Sequence, residues 1–258
     1  MAAEIHQSIQ RAASVLDALG QSETGQLRAS DIGRTIGLGP STTARLLTTL
    51  EELHYVKKEP DGQLYSIGSA IFALSSQGLN QNPVHRESRA AAQELAQKVG
   101  LSVNVGVRDE TSVMYLCHFE GALAPKSHTM VGMRQPLHAS ALGKCLLLDL
   151  SQQERIDLLG EELPRFTANT ITDHTALTKE LAKSADRGTC LEDQELALGR
   201  VCVAAPIRNA SGRVIAAISI SGRLTVMRDH DLESLSEEAI ETADRISVGL
   251  GLISAIPA

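Results

Sequence analysis

Apolar residues recur at helical spacing along the front of this chain, and the polar positions between them carry its first functional signal. Ile5, Ile9, Ala12, Ala13, Leu16 and Leu19 outline one helix, closed by the polar run from Gln21 to Gly25. Ala29, Ile32 and Ile36 outline a second, with Ser30 or Asp31 placed to cap its start. Gly37, Leu38, Gly39 and Pro40 then break the chain, Leu38 plugging the angle between helices while the glycines supply backbone freedom. A third helix is expected from Ser41, capped by Ser41 or Thr42. Its apolar stripe is Leu46, Leu47, Leu50 and Leu53, which puts Ser41, Thr42, Thr43, Arg45, Thr48 and Thr49 on the outer face.

That outer face is short, rich in hydroxyls and carries one arginine, a combination suited to base edges and phosphates. Val56-Lys57-Lys58 and Leu64 to Ile67 read as two short strands around the turn Glu59-Pro60-Asp61-Gly62. Residues 1–68 therefore read as a winged helix-turn-helix. A small-residue helix and the polar stretch from Asn80 to Pro83 make residues 69–83 a helical linker.

Beyond the linker the pattern alternates between periods. Residues 84–99 read as an Ala-rich helix ended by Gly100, and residues 102–107 and 112–117 as strands about a turn at Arg108 to Glu110. A third strand is expected over 127–131, then helices over 140–148, 152–159 and 176–187, and a strand through Cys190 and Leu191. Residues 200–207 and 213–221 form a hairpin, and a long helix over 229–252 closes the chain. Hairpins flanked by helices predict, for residues 84–258, an α+β domain built on an antiparallel sheet.

Composition narrows the classes. At 258 residues the chain accommodates two domains, and no run of eighteen apolar residues or signal-peptide plan is present, so a soluble cytoplasmic protein with no membrane partner is expected. Trp is absent and aromatics are scarce, leaving Leu, Ile, Val and Ala to build the cores. Cys117, Cys145, Cys190 and Cys202 are scattered without a C-x-x-C pair, so neither a metal site nor a disulfide framework is indicated, and no cofactor is expected. The net charge is −7, and residues 1–78 hold six Lys/Arg against eight Asp/Glu. Binding to nucleic acid therefore requires the basic residues to gather on one face.

Within the second domain, Val214, Ala216, Ile218 and Ile220 alternate with Ile215, Ala217, Ser219 and Ser221. Two hydroxyls thus share a face with small apolar neighbours, and the pattern alone leaves core and cavity equally open. Gly143-Lys144 lacks the earlier glycine of a phosphate loop, where His138 stands, and has Cys145 in place of its Ser or Thr, so nucleotide binding is disfavoured. Cys117 and His118 are adjacent on a strand and point to opposite faces, which argues against one catalytic or metal site and against an enzyme.

Three blocks, STTARLLTTLEELHYV from Ser41, PLHASALGKCLL from Pro136 and EDQELALGRVCVAAPIRNASGRVIAAISISG from Glu192, stand in an order that resembles the IclR family of bacterial transcriptional regulators. The resemblance implies a winged helix-turn-helix, a helical linker and a GAF-like effector domain, assembled as a homodimer or homotetramer. Carried over by motif, the effector pocket would use Ala141, Leu142, Glu192 or Asp193, Cys202, Ser219 and Ser221. Gly39-Pro40 replaces the Pro-Lys common in the family, and His54 stands where Gly is usual before Tyr-Val, placing a side chain at a helix end that favours left-handed backbone.

The function expected is a ligand-responsive regulator of transcription, a repressor in preference to an activator, that binds double-stranded operator DNA. Ser41, Thr42, Thr43 and Arg45 would enter the major groove, with Lys57, Lys58 and Arg34 on phosphates. A pocket of Ser, Ala, Leu and Cys without an evident arginine suits a small carboxylate or related aromatic compound. An enzyme acting on that small molecule, or a winged helix that binds proteins, would share parts of this pattern.

Overall fold

Gly100, at φ 72°, stops the long helix of the second domain where the sequence places a stop, and the strands that follow pair as hairpins. A computed structural model describes residues 6–60, 62–124 and 130–253, and the chain divides into two compact units, Met1–Gln81 and Asn82–Ala258.

In the first unit, α1 (Gln7–Gly20), α2 (Ala29–Thr35) and α3 (Pro40–Glu52) enclose Val15, Leu19, Ile32, Leu47, Leu50 and Val56. Three strands, β1 (Gln26–Arg28), β2 (Val56–Lys58) and β3 (Leu64–Ile67), form an antiparallel sheet in the order β1-β3-β2. The two-stranded wing expected from sequence thus gains a third strand, too short at three residues to show an alternation. Because β1 runs straight into α2, the cap position falls on Arg28 and the Ser30 and Asp31 side chains lie inside the first turn without capping it. Pro40 occupies the first turn of α3 behind Gly39, so neither Ser41 nor Thr42 caps that helix. Leu53 lies past its end and is 55 % exposed rather than part of the buried stripe. His54 does adopt the left-handed conformation, at φ 60°. Helix α4 (Ser69–Gln81) completes the unit without a single buried residue. Ile5, part of the expected first helix, lies outside the described residues.

The second unit begins with α5 (Pro83–Val99), capped by the Asn82 side chain, which accepts a hydrogen bond from the His85 amide. Strands β4 (Ser102–Asp109), β5 (Ser112–Phe119) and β6 (Arg134–Pro136) follow, then α6 (Ala141–Leu146), α7 (Gln152–Leu159) and α8 (His174–Arg187). The chain continues through β7 (Cys190–Asp193), β8 (Arg200–Arg208), β9 (Val214–Arg223), α9 (Leu224–Met227) and α10 (Leu232–Gly249). Six antiparallel strands form one sheet in the order β6-β5-β4-β9-β8-β7. Most of the strand expected over 127–131 lies outside the described residues, and the edge strand is β6 instead.

Helices α5 and α10 cover one face of this sheet and α6 packs on the other. On the α6 face Val113, Tyr115, Cys202, Ala204 and Ala217 meet Leu142, Cys145, Leu146 and Leu177 in one core. A bulge in the β4–β5 ladder, between Val105 and Gly106, sets the faces of the following residues. Cys117 turns to α5, where its sulfur lies 3.7 Å from Ser88 Oγ, while His118 turns to Asn104 on the opposite side. Gly143 lets α6 approach closely, since a Cβ there would lie 2.2 Å from the Leu137 carbonyl oxygen.

Candidate functional site

Helix α3 presents Ser41, Ala44, Arg45, Thr48 and Thr49 to solvent, with Thr42 half-buried beside them. The Thr48 and Thr49 hydroxyls donate to the Ala44 and Arg45 carbonyls, each 3.1 Å away, so both side chains lie against the helix and keep their lone pairs outward. Among the described residues no carboxylate lies within ion-pair distance of Arg45 or Lys58. Arg34, at the end of α2, pairs with Asp31 at 3.3 Å, and Lys57 with Glu59 at 3.3 Å. Lys58 Nζ lies 5.9 Å from the centre of the Tyr65 ring, within reach of its face. Among the described residues, the acids of this unit thus occupy two of the cations and leave the recognition-helix arginine and one wing lysine without a partner carboxylate.

Thr43 does not face outward. It is 1 % exposed, its hydroxyl donates to the Gly39 carbonyl at 3.1 Å, and it packs on Gly33, where a Cβ would stand 2.9 Å from Thr43 Oγ1. The pair is the crossing point of α2 and α3, and the hydroxyl that made Thr43 look like a surface residue is satisfied by its own helix. Thr43→Val is expected to lower the stability of this unit by about 1 kcal/mol while leaving sequence preference on DNA within about threefold of the parent, roughly 0.6 kcal/mol. Thermal melting and competition binding check this, and a loss of preference as large as that of an Arg45 variant would return Thr43 to the interface.

In the second unit the residues singled out from sequence separate into three groups. Ser221, Cys202 and Glu192 stand in one row across β9, β8 and β7, with Ser219 one step along. Glu192 is buried and its Oε1 accepts from the amides of Glu195 and Leu196 at 2.8 and 3.2 Å, so this carboxylate closes its own loop. Asp193 is exposed. Ala141 and Leu142 are buried in the core between α6 and the sheet.

A cavity of about 200 Å³ opens beside Ser221, lined also by Asn104, His118, Met130 and Arg200. Asn104 Nδ2 donates to Ser219 Oγ at 3.4 Å and Ser221 Oγ at 3.2 Å, while its Oδ1 lies 2.7 Å from His118 Nδ1. Arg200 Nε donates to the Cys202 sulfur at 3.2 Å. Burial pushes the Cys202 thiol up to about 12, and burial likewise raises the Tyr115 hydroxyl to about 12, so both are neutral at physiological pH. The wall therefore contains two arginines, Arg200 and Arg223, contrary to the reading from composition. Arg200 lies two residues before Cys202 on one strand, so the alternation that gave Cys202 gives Arg200 as well. Asn104 and His118 carried no such signal, because only the pairing of β4 with β5 and β9 brings them to the serines.

Gly143-Lys144 serves no phosphate. Lys144 is fully buried, donates to the Leu191 carbonyl at 2.9 Å and pairs with Glu195. His138 is a structural histidine whose Nε2 donates to the Pro164 carbonyl at 2.9 Å, and burial lowers its pKa.

A reading head whose third helix carries an exposed arginine with no partner carboxylate among the described residues, joined to a sheet domain with a small cavity, defines a DNA-binding regulator controlled by a small molecule. The chain matches the IclR helix-turn-helix domain over residues 8–60 and the bacterial transcriptional regulator IclR C-terminal domain over residues 76–248. It belongs to the IclR family of transcriptional regulators. It is 31 % identical over 248 residues to the HTH-type transcriptional regulator XynR of Escherichia coli (strain K12), covering 96 % of this chain and 98 % of that one. It is 31 % identical over 247 residues to the HTH-type transcriptional repressor AllR of Salmonella typhi, covering 95 % and 90 %. Among solved structures, an IclR homolog from Microbacterium hydrocarbonoxydans complexed with 4-hydroxybenzoate superposes with a TM-score of 0.83 at 26 % identity, covering 94 % of this chain and 98 % of the other. No helix among the described residues is long and apolar enough to cross a membrane.

Proposed function

We propose that this chain is a cytoplasmic repressor that binds operator DNA as a homodimer or homotetramer and responds to a small organic acid or related aromatic compound, without enzymatic turnover of that compound. The observation that carries the DNA half is Arg45 on the exposed face of α3, with no partner carboxylate among the described residues. Ser41, Thr42 and Arg45 read base edges, and Lys57, Lys58 and Arg34 hold phosphates on either side. Lys57→Ala is expected to reduce the slope of log affinity against log salt by about one, with little change in preferred sequence. Anisotropy titrations at several salt concentrations measure it, and an unchanged slope removes Lys57 from the phosphate contacts.

Assembly is supported by apolar surface on the first unit. Helix α4 carries no charge, and its Phe72 and Leu74 are 68 % and 51 % exposed. A groove of about 670 Å³ between α1 and α3 is lined by Ile9, Leu16 and Leu53 among others. Exposed apolar area on this scale marks an interface, and a two-fold dimer requires a palindromic operator.

Ligand control is supported by the cavity beside Ser221 and by the aromatic acid bound to the structural relative. Ser221 lies on its wall, with Ser219 one step along β9 and Cys202 and Glu192 in the same sheet row as Ser221, and effector binding shifts DNA affinity by as much as it distinguishes two placements of the reading heads. The test is operator affinity of the parent and of the Ser219→Ala, Ser221→Ala double variant, measured with 4-hydroxybenzoate and a panel of small carboxylates. The double variant is expected to hold DNA like the unliganded parent and to lose the ligand response, and a full response would remove the serines from the site.

A further inference from the structure

We infer that Arg200 is the anion-recognising residue of the cavity in the second unit, and that Asn104, held by His118, sets the two serines beside it as hydrogen-bond donors. This rests on reading that unit as the effector domain, and it names the charge the effector must carry and the residues that select it.

Arg200 is half-buried, lines the cavity, and is held at one end by the Cys202 sulfur. Among the described residues no carboxylate lies within 4.0 Å of it. Glu192, the acid nearest along the sheet row, has its Oε1 turned to two backbone amides. With no carboxylate in ion-pair reach, the guanidinium is free to give charge-assisted hydrogen bonds to a carboxylate entering the cavity.

Donor directions in the adjoining network point the same way. Asn104 Nδ2 donates to both serine oxygens, so Oδ1 is the acceptor that faces His118 Nδ1, and that nitrogen carries the proton. His118 Nε2 makes no hydrogen bond among the described residues, Glu120 Oε1 standing 3.6 Å away. Since the serines accept from Asn104, their own hydrogens remain free. Ser219 has no other acceptor among the described residues, and Ser221 only the Ser102 carbonyl at 3.5 Å. The cavity thus offers the half-buried Arg200 guanidinium and the Ser221 hydroxyl, with exposed Arg223 also on its wall and Ser219 one step along the strand, to a ligand with acceptor oxygens. At about 200 Å³ it lies below the ~300–1,000 Å³ of pockets for drug-sized molecules, which fits a small monocarboxylate.

Matched acid and amide probes test the assignment on the full-length protein by calorimetry, with propionate against propionamide and benzoate against benzamide. The parent is expected to prefer the acid of at least one pair by about tenfold or more. Arg200→Met should abolish that preference, and Arg200→Lys should keep part of it. Asn104→Asp, which makes the serines donate to the new carboxylate and adds a negative charge, should weaken acid binding by about tenfold or more. Equal binding of acid and amide by the parent, or acid binding by Arg200→Met at parental strength, overturns the assignment of Arg200. Asn104→Asp binding acids like the parent overturns the donor role of the serines. If neutral metabolites alter operator affinity and acids do not, the anion site is wrong and ligand control stands; if no small molecule alters it, ligand control itself fails.

Discussion

Replacing Arg45 with alanine is expected to remove most of the preference for operator over bulk DNA while leaving ligand binding in the second domain intact. The side chain is exposed on α3, has no partner carboxylate among the described residues, and stands on the same surface as Ser41 and Thr48. A bidentate contact from arginine to a guanine contributes about 1–3 kcal/mol of discrimination per half-site. Non-specific affinity should fall only by the loss of one charge, so specific and non-specific binding should converge. Competition anisotropy against genomic DNA, paired with calorimetry on a ligand, separates the two. Loss of both activities together would mean that α3 has a structural role and that Arg45 reads no base.

A larger loss of stability is expected from Lys144→Ala. The ammonium is buried between α6 and the loop after β7, bound to the Leu191 carbonyl and the Glu195 carboxylate. Glu195 is itself buried, its Oε2 without a hydrogen-bond partner among the described residues, and burial raises its pKa against the opposing pull of Lys144. Removing one member of such a pair leaves an uncompensated charge and costs about 3–5 kcal/mol. A carboxylate whose folded pKa lies above its unfolded value favours the folded state at low pH, and that contribution is lost as pH rises through the folded pKa. Without Lys144 the Glu195 pKa rises further, so the variant should recover stability as pH falls from neutral towards the carboxylate range, narrowing its gap to the parent. The Lys144→Met, Glu195→Leu double variant should recover much of the loss at neutral pH. Denaturant melts across pH measure both effects, and a single variant as stable as the parent would show that the pair is no brace.

Both predictions depend on features of unequal visibility in the sequence. The reading head was legible because its signal is local: Ile32, Leu47 and Leu50 repeat at helical spacing, and Gly37 and Pro40 mark the break. Thr43 was misplaced because a helical wheel assigns polarity and not contact, and only Gly33 on the neighbouring helix reveals that the position is buried. Leu53 failed for the opposite reason, being apolar but past the helix end. In the second domain the hairpins were legible, since Gly212 and the alternation from Val214 are short-range signals. The cavity was only half legible. Ser219, Ser221 and Cys202 share a periodicity within their own strands, whereas Asn104 and His118 reach them through pairings more than a hundred residues apart in sequence for Asn104 and Ser219. Lys144 and Glu195 likewise meet across 51 positions, a contact no spacing rule encodes.

The most direct measurement is anisotropy of the purified protein on its own upstream DNA, titrated against bulk genomic competitor at fixed salt, with and without small acids. Binding of the upstream fragment should be at least ~10³-fold tighter than that of bulk DNA, and an acid that fits beside Arg200 should change it. Equal affinity for both DNAs, unaltered by any small molecule, would contradict the whole account.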